Sequence, residues 1–140
     1  MLLNPTGLIF TAQRIDMPGA WQMPQGGIDP GEDMLSAALR ELEEETSIPA
    51  EAVKVTAQTA DWINYDLPDH LIGKAWGGKY RGQKQHWFLM RFNGDEVLIN
   101  LETEHPEFSA WKWSTRDQLI AEIVPFKRAV YQTVADELLP

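Results

Sequence analysis

Cysteine is missing from all 140 residues. That excludes disulfide staples, a thiolate nucleophile and Cys-ligated zinc or iron–sulfur centres. It also suits a reducing cytoplasm, where the chain is expected to work. Long apolar runs are missing too. None approaches the ~20 residues of a membrane-spanning helix, and no leader-peptide pattern opens the chain, so no membrane association is expected. Positive charge is scarce: 12 Lys and Arg stand against 21 Asp and Glu, a net charge of −9. A surface of that sign does not gather duplex nucleic acid in bulk through its phosphates. It remains compatible with a polyphosphate end group, because divalent cations bridge carboxylates to phosphate oxygens. Histidine is limited to His70, His86 and His105. Their separations match no metal-ligand pattern, and none is given a catalytic role. Repeats, low-complexity tracts and linkers are absent, which leaves residues 1–140 as one expected domain, long enough to bury a core.

Carboxylate is what the chain has in excess, and one stretch concentrates it: GGIDPGEDMLSAALRELEEETSI, residues 26–48. After Pro30 and Gly31, Asp33 has the side chain of a helix N-cap. Leu35, Ala38, Leu39 and Leu42 recur at i, i+3, i+4 and i+7, which predicts an apolar helical stripe. At ~100° per residue, Glu41, Glu44 and Glu45 fall together on a flank beside that stripe. Like charges so placed repel by about a few tenths of a kcal/mol per pair, and a divalent cation would turn that repulsion into attraction. Taken alone, an acidic helix face is usually only solvated. The flanking loop shifts the balance, because Gly26, Glu32, Arg40-Glu41 and Glu44-Glu45 stand at fixed spacings that a solvated face does not need.

Elsewhere the pattern alternates between strand and turn. Met1–Leu3, a turn at Asn4-Pro5-Thr6-Gly7, and Leu8–Phe10 read as strand, turn, strand. Val53, Val55 and Ala57 alternate with polar residues ahead of Asp61-Trp62-Ile63-Asn64-Tyr65. Residues 66–85 read as a long glycine-containing loop, a length that is often functional. Trp87–Met90 reads as a buried strand, Asn93-Gly94-Asp95 as a turn, Val97-Leu98-Ile99 as a short strand, and Phe108–Trp113 as a further strand. Asp117–Glu122 predicts a short helix. Phe126, Ala129, Val130, Thr133, Val134 and Leu138 predict a longer one. Strands interrupted by two substantial helices point to an α/β fold with a mixed sheet. The six tryptophans are read as core, Trp87, Trp111 and Trp113 lying in strand patterns.

The spacing in residues 26–48 resembles the Nudix box, G-x5-E-x7-R-E-U-x-E-E-x-G-U with U aliphatic, Leu42 and Ile48 filling aliphatic positions. One position departs: the second glycine of the box is Ser47 here. It follows the helix end, where glycine serves as a left-handed cap, and a non-glycine residue held there costs ~1 kcal/mol. No metal-binding group is lost. Beyond the box, WQMPQGGIDPGE, DWINYDLP, GQKQHWFL, PEFSAWKW and VPFKRAVY are similar to the bacterial RNA pyrophosphohydrolase and dinucleoside polyphosphate hydrolase group. That group is similar in turn to plant-type diadenosine tetraphosphate hydrolases. The likeness runs in order along almost the whole chain. It implies a Nudix α/β/α sandwich with a mixed β-sheet. The family's first strand is longer and preceded by a short basic segment, so the first strand here is expected to be shortened.

The resemblance also implies a site. Glu41, Glu44 and Glu45, joined by Glu107 from a later loop, would hold Mg²⁺ or Mn²⁺. Glu107 and Glu41 are both candidates for general base. Arg40 would pair with and orient a helix carboxylate, and Glu32 would hold the Nudix loop of Gly26 and Gly27 or reach a metal through water. Arg14, Lys84 and Lys127 match basic positions near the polyphosphate, and Gln25, Gln83 and Gln85 are polar candidates beside it. Phe126 matches a base-stacking position, with Tyr65 as a second stacking candidate, although Phe126 also suits a core anchor for the last helix. The implied reaction is metal-dependent removal of pyrophosphate from 5′-triphosphorylated RNA. Free dinucleoside polyphosphates such as diadenosine tetraphosphate are the alternative substrates, and a non-catalytic nucleotide-binding module is the third reading. Oligomeric state has no signature in the sequence.

Overall fold

A computed structural model describes residues 1–66 and 82–140. Eight strands and three α-helices order as β1 (Leu2–Leu3), β2 (Ile9–Arg14), β3 (Trp21–Gln22), α1 (Met34–Thr46), β4 (Val53–Gln58), β5 (Ile63–Asp66), β6 (Gly82–Gln85), β7 (Phe88–Phe92), β8 (Phe108–Ser114), α2 (Arg116–Glu122) and α3 (Arg128–Leu138). The main sheet runs β3-β2-β1-β7-β4, with β8 on the other edge of β2. It is mixed: β1 pairs parallel with β7 and antiparallel with β2. β5 and β6 form a separate antiparallel pair.

Strand alternation sorts the apolar residues onto two faces. Leu3, Ile9 and Leu89 face a core closed by Leu119 and Ile123 of α2 with Val130, Tyr131, Val134 and Leu138 of α3. Leu2, Phe10, Met90 and Phe108 face a second core closed by Leu42 of α1 and Ile48. A sheet buried on both faces by helices is the α/β/α sandwich that the box implied. β1 covers two residues.

Four local expectations need correction. Val97–Ile99 is not a strand: Glu96–Leu98 is a 3₁₀ turn capped by Asp95, whose side chain accepts from the Val97 N–H, and Val97 is exposed. The aspartate offers the backbone a local partner that a three-residue apolar run cannot outbid. The assigned loop is framed by strands, since residues 63–66 and 82–85 pair in register, while residues 67–81, His70 among them, lie outside the described residues. The stripe on α1 holds at Ala38, Leu39 and Leu42, which pack on the second core, and fails at Leu35. Leu35 is 37% exposed, and the buried positions are Ala37, Leu42, Glu45 and Thr46. The tryptophans divide: Trp87 is buried, Trp111 and Trp113 are half-buried against Phe10, and Trp62 is exposed. Among the described residues there is no helix long and apolar enough to cross a membrane.

Candidate active site

α1 begins where expected. Asp33 is the N-cap, accepting from the Ser36 N–H at 2.8 Å. The helix ends on Ser47, at φ 67°, the left-handed cap whose backbone N–H bonds Glu43 O. Its hydroxyl donates to Asn100 O at 2.8 Å, an interaction glycine cannot make. In this way the departure from the box gains a tether that offsets part of its backbone cost.

Arg40 ties the preceding loop onto the helix. Its Nε donates to Glu32 Oε2 at 2.8 Å, and Nη2 donates to Glu32 Oε1 at 2.9 Å and to Gly27 O at 2.8 Å. Nη1 donates to Glu41 Oε1 at 2.9 Å and to Glu44 Oε2 at 3.0 Å. Glu32 Oε1 also accepts from the Asp29 N–H at 3.1 Å. These bonds hold the Glu32 carboxyl well below its usual range, at about 2, with Arg40 the largest cause. Gly26 passes so close to the helix that a Cβ there would fall 1.9 Å from Glu41 Cδ. A side chain at position 26 would have to push Glu41 off its bond to Arg40, which is why glycine suits this point of the loop.

Glu45 faces inward. It is 5% exposed, and burial, then the charges of Glu107 and Glu41, push its carboxyl up to about 9. Its Oε2 is buried with no hydrogen-bond partner, an arrangement that costs roughly 1–3 kcal/mol unless something satisfies it. Glu41 is also raised, by burial first and against the pull of Arg40. Among the described residues, no three carboxylates stand together as a ready-made cation cage. Two of the helix glutamates instead turn toward Arg40, as like charges do beside a guanidinium.

Glu107 comes from the segment before β8, beside Arg14. The β2–β8 register shifts between Gln13 and Arg14, and the Ile15 N–H bonds Glu107 O at 3.0 Å. A bulge of this kind re-aims a side chain. Arg14 donates through Nε and Nη2 to both oxygens of Asp16, at 2.8 and 2.7 Å. Asp16 escaped the sequence reading, although its place two residues after Arg14 was the available signal. Lys127 is 6% exposed, and its ammonium lies 5.9 Å from the Tyr65 ring centroid. Burial first, then the Arg14 charge, lower it to about 8. Tyr65 and Phe126 stand 6.3 Å apart with rings tilted by 34°. Phe126 is half-buried against the α2–α3 core, and Tyr65 is buried in that core, so Tyr65 is not the stacking surface the sequence suggested. Gln85 Nε2 donates to Gln25 Oε1 at 3.1 Å. Gln83 pairs with Tyr65 in register, and its side chain lies outside the described residues. A cavity of about 880 Å³ opens beside Gly26, Gly27 and Glu41 on one wall and Trp62, Lys84 and Gln85 on the other.

This loop, helix and sheet arrangement has known relatives. The NUDIX domain family matches residues 1–134. The chain belongs to the Nudix family. This Nudix hydrolase domain is 56% identical over 141 residues to the RNA pyrophosphohydrolase of Cereibacter sphaeroides (strain KD131 / KCTC 12085), covering 100% of this chain and 87% of the relative. It is 54% identical over 138 residues to the RNA pyrophosphohydrolase of Rhodospirillum rubrum, covering 99% and 82%. The Nudix fold is shared with a C. elegans Ap4A hydrolase binary complex at TM-score 0.67 and 20% identity, covering 96% of this chain and 92% of the other. It is shared also with the E. coli dihydroneopterin triphosphate pyrophosphohydrolase, at TM-score 0.66 and 22% identity, covering 94% and 91%.

Proposed function

We propose that this protein, acting as one domain over residues 1–140, removes pyrophosphate from the 5′ end of triphosphorylated RNA and so starts mRNA decay. The observation that carries this reading is Glu45: a buried, unsatisfied carboxylate oxygen beside Glu41 on the Nudix helix, in a chain 53% to 56% identical to proteins named RNA pyrophosphohydrolase. The reading places the protein in the cytoplasm, where RNA 5′ ends are made and turned over.

The donor set is carboxylate oxygen, which suits hard divalent cations, Mg²⁺ or Mn²⁺. Glu45 fits this role because a cation would satisfy Oε2 and keep the group ionised. Glu41, Glu44 and Glu107 complete the set, with Glu41 and Glu44 giving up part of their contact with Arg40. A bound cation neutralises polyphosphate charge and acidifies water. Arg40 and Glu32 hold the loop against the helix. Glu41 and Glu107 are the groups available to take a proton from water. Arg14 and Lys127 supply positive charge to the phosphates, with Lys84, Gln25 and Gln83 at the cavity wall and its adjoining strand. Phe126, half-buried, offers a ring face to a base, whereas Tyr65 is buried in the α2–α3 core and backs it.

The test compares pyrophosphate release from 5′-triphosphorylated RNA and hydrolysis of diadenosine tetraphosphate, both with Mg²⁺, beside Glu44→Gln and Glu45→Gln controls. Faster turnover of the RNA, lost by at least roughly tenfold in each variant, is the expected result; tenfold corresponds to about 1.4 kcal/mol of barrier. Preference for the dinucleotide would make free dinucleoside polyphosphates the substrates. Full activity in both variants would remove the metal-site assignment.

A further inference from the structure

Of the outer face of the β5–β6 pair, the mechanism above uses only Lys84, at the cavity wall. Residues directly opposite in an antiparallel pair share a face. The register sets Asn64 against Lys84 and Ile63 against Gln85, and continuing it by one residue sets Trp62 against His86. Ile63 and Tyr65 point to the α2–α3 core. Trp62, Asn64 and Lys84 are exposed on the other side, with His86 half-buried beside them. Trp62 is 40% exposed, a large apolar ring left in water. Its neighbours fix its position rather than bury it. The His86 ring meets it edge-on at 5.7 Å, the Lys84 ammonium lies 5.0 Å from its centroid, and His86 is in turn held by Gln58 Oε1 at 3.0 Å. Both Trp62 and Lys84 line the cavity that reaches Gly26 and Glu41.

We infer that this face is a subsite for single-stranded RNA downstream of the reacting end, with Trp62 stacking on one unpaired base and Lys84 meeting the adjacent backbone phosphate. The proposal rests on the RNA reading above and deepens it. A held aromatic ring beside a cation and an amide matches what unpaired RNA offers: a π-face, a phosphate and hydrogen-bonding edges. Phe126 packs on Tyr65 at the opposite face of the same strands, so the two ring sites take different nucleotides. A free nucleoside triphosphate fills only one of them. Substrate selection by chain length follows.

The test uses 5′-triphosphorylated octanucleotides carrying one abasic position in turn, assayed with wild type, Trp62→Ala and Trp62→Phe, with thermal midpoints recorded. Wild type should lose on the order of tenfold in kcat/KM, the scale of one stacked base, at one downstream abasic position. Trp62→Ala should lose as much on the intact RNA and lose nothing more from that same abasic position, and Trp62→Phe should retain most activity. Equal losses from Trp62→Ala on every substrate, or none on any, would overturn the subsite. Should wild type fail to release pyrophosphate from RNA, the RNA-hydrolase reading itself fails. Anisotropy of the labelled octanucleotide in Ca²⁺ then judges the subsite alone, with tenfold weaker binding by Trp62→Ala supporting it and equal binding refuting it.

Discussion

Single residues carry much of what distinguishes this chain. Ser47 stands where the box has glycine, and its two effects oppose each other: left-handed backbone costs ~1 kcal/mol, while the bond to Asn100 O returns about 0.5–1.5 kcal/mol. Ser47→Gly should therefore leave the unfolding midpoint nearly unchanged. Ser47→Ala keeps the strain without the bond and should lower stability by ~1 kcal/mol, both read by denaturant titration. Lys127 shows a different balance. Burial lowers its ammonium from 10.5 to about 8, so between about 8 and 10.5 the folded state binds fewer protons than the unfolded chain. Lys127 therefore contributes a rise of stability with pH through that window, read as the difference between wild type and a variant without the ammonium. Lys127→Met should remove the rise, keep or raise the midpoint at pH 7, and cut turnover. A large fall in the midpoint at pH 7 would make the lysine structural. Sequence alone pointed to Lys127 by likeness, but its burial depends on packing against Tyr65, distant in the chain.

Among elements, the loop and α1 were the most legible, because their determinants are local: the Asp33 cap, the left-handed end at Ser47, and charges within one or two turns. What the pattern missed on α1 was the exposure of Leu35 and the burial of Glu45. Hydrophobic periodicity assigns a face by counting apolar side chains, and here a carboxylate, Glu45, occupies the inner arc. The 3₁₀ turn at Glu96–Leu98 was missed for the converse reason, a local Asp95 cap outweighing an apolar run. The clamp of Arg40 on Glu32 makes a prediction for the loop. With its pKa depressed to about 2 against ~4.3 when unfolded, Glu32 contributes stability that is complete above ~4.3 and lost as pH falls through about 2. Thermal midpoints of wild type and Glu32→Gln should differ by a constant amount above pH ~5 and converge near pH 2. A gap that persists at pH 2 would mean the pair adds nothing specific to the ionised form.

For the molecule as a whole, the mixed sheet and its two helical layers followed from the alternation of strands with amphipathic segments. The long-range ties did not. Tyr131 is fully buried, and its hydroxyl accepts from the Met23 N–H at 3.0 Å, joining α3 to the strand end that leads into the Nudix loop. Nothing in a helical pattern of aromatic and aliphatic residues marks that bond. Tyr131→Phe should strand the amide at a cost of ~1–3 kcal/mol, a midpoint drop of roughly 3–10 °C, while an unchanged midpoint would mean the amide finds another acceptor. Glu107 likewise reaches the site only through the bulge in β2–β8. The Arg40 clamp has a consequence in time as well as in space. Its hydrogen-bond partners lie within 13 residues along the chain, so little loop-closure entropy opposes them, whereas Arg14 and Glu107 meet only after β2 has paired with β8, a strand far along the sequence. Local contacts form early and distant strand pairings late. The carboxylates that Arg40 joins, Glu32, Glu41 and Glu44, are thus expected to come together while the chain is still largely open, before strand pairing brings Glu107 alongside.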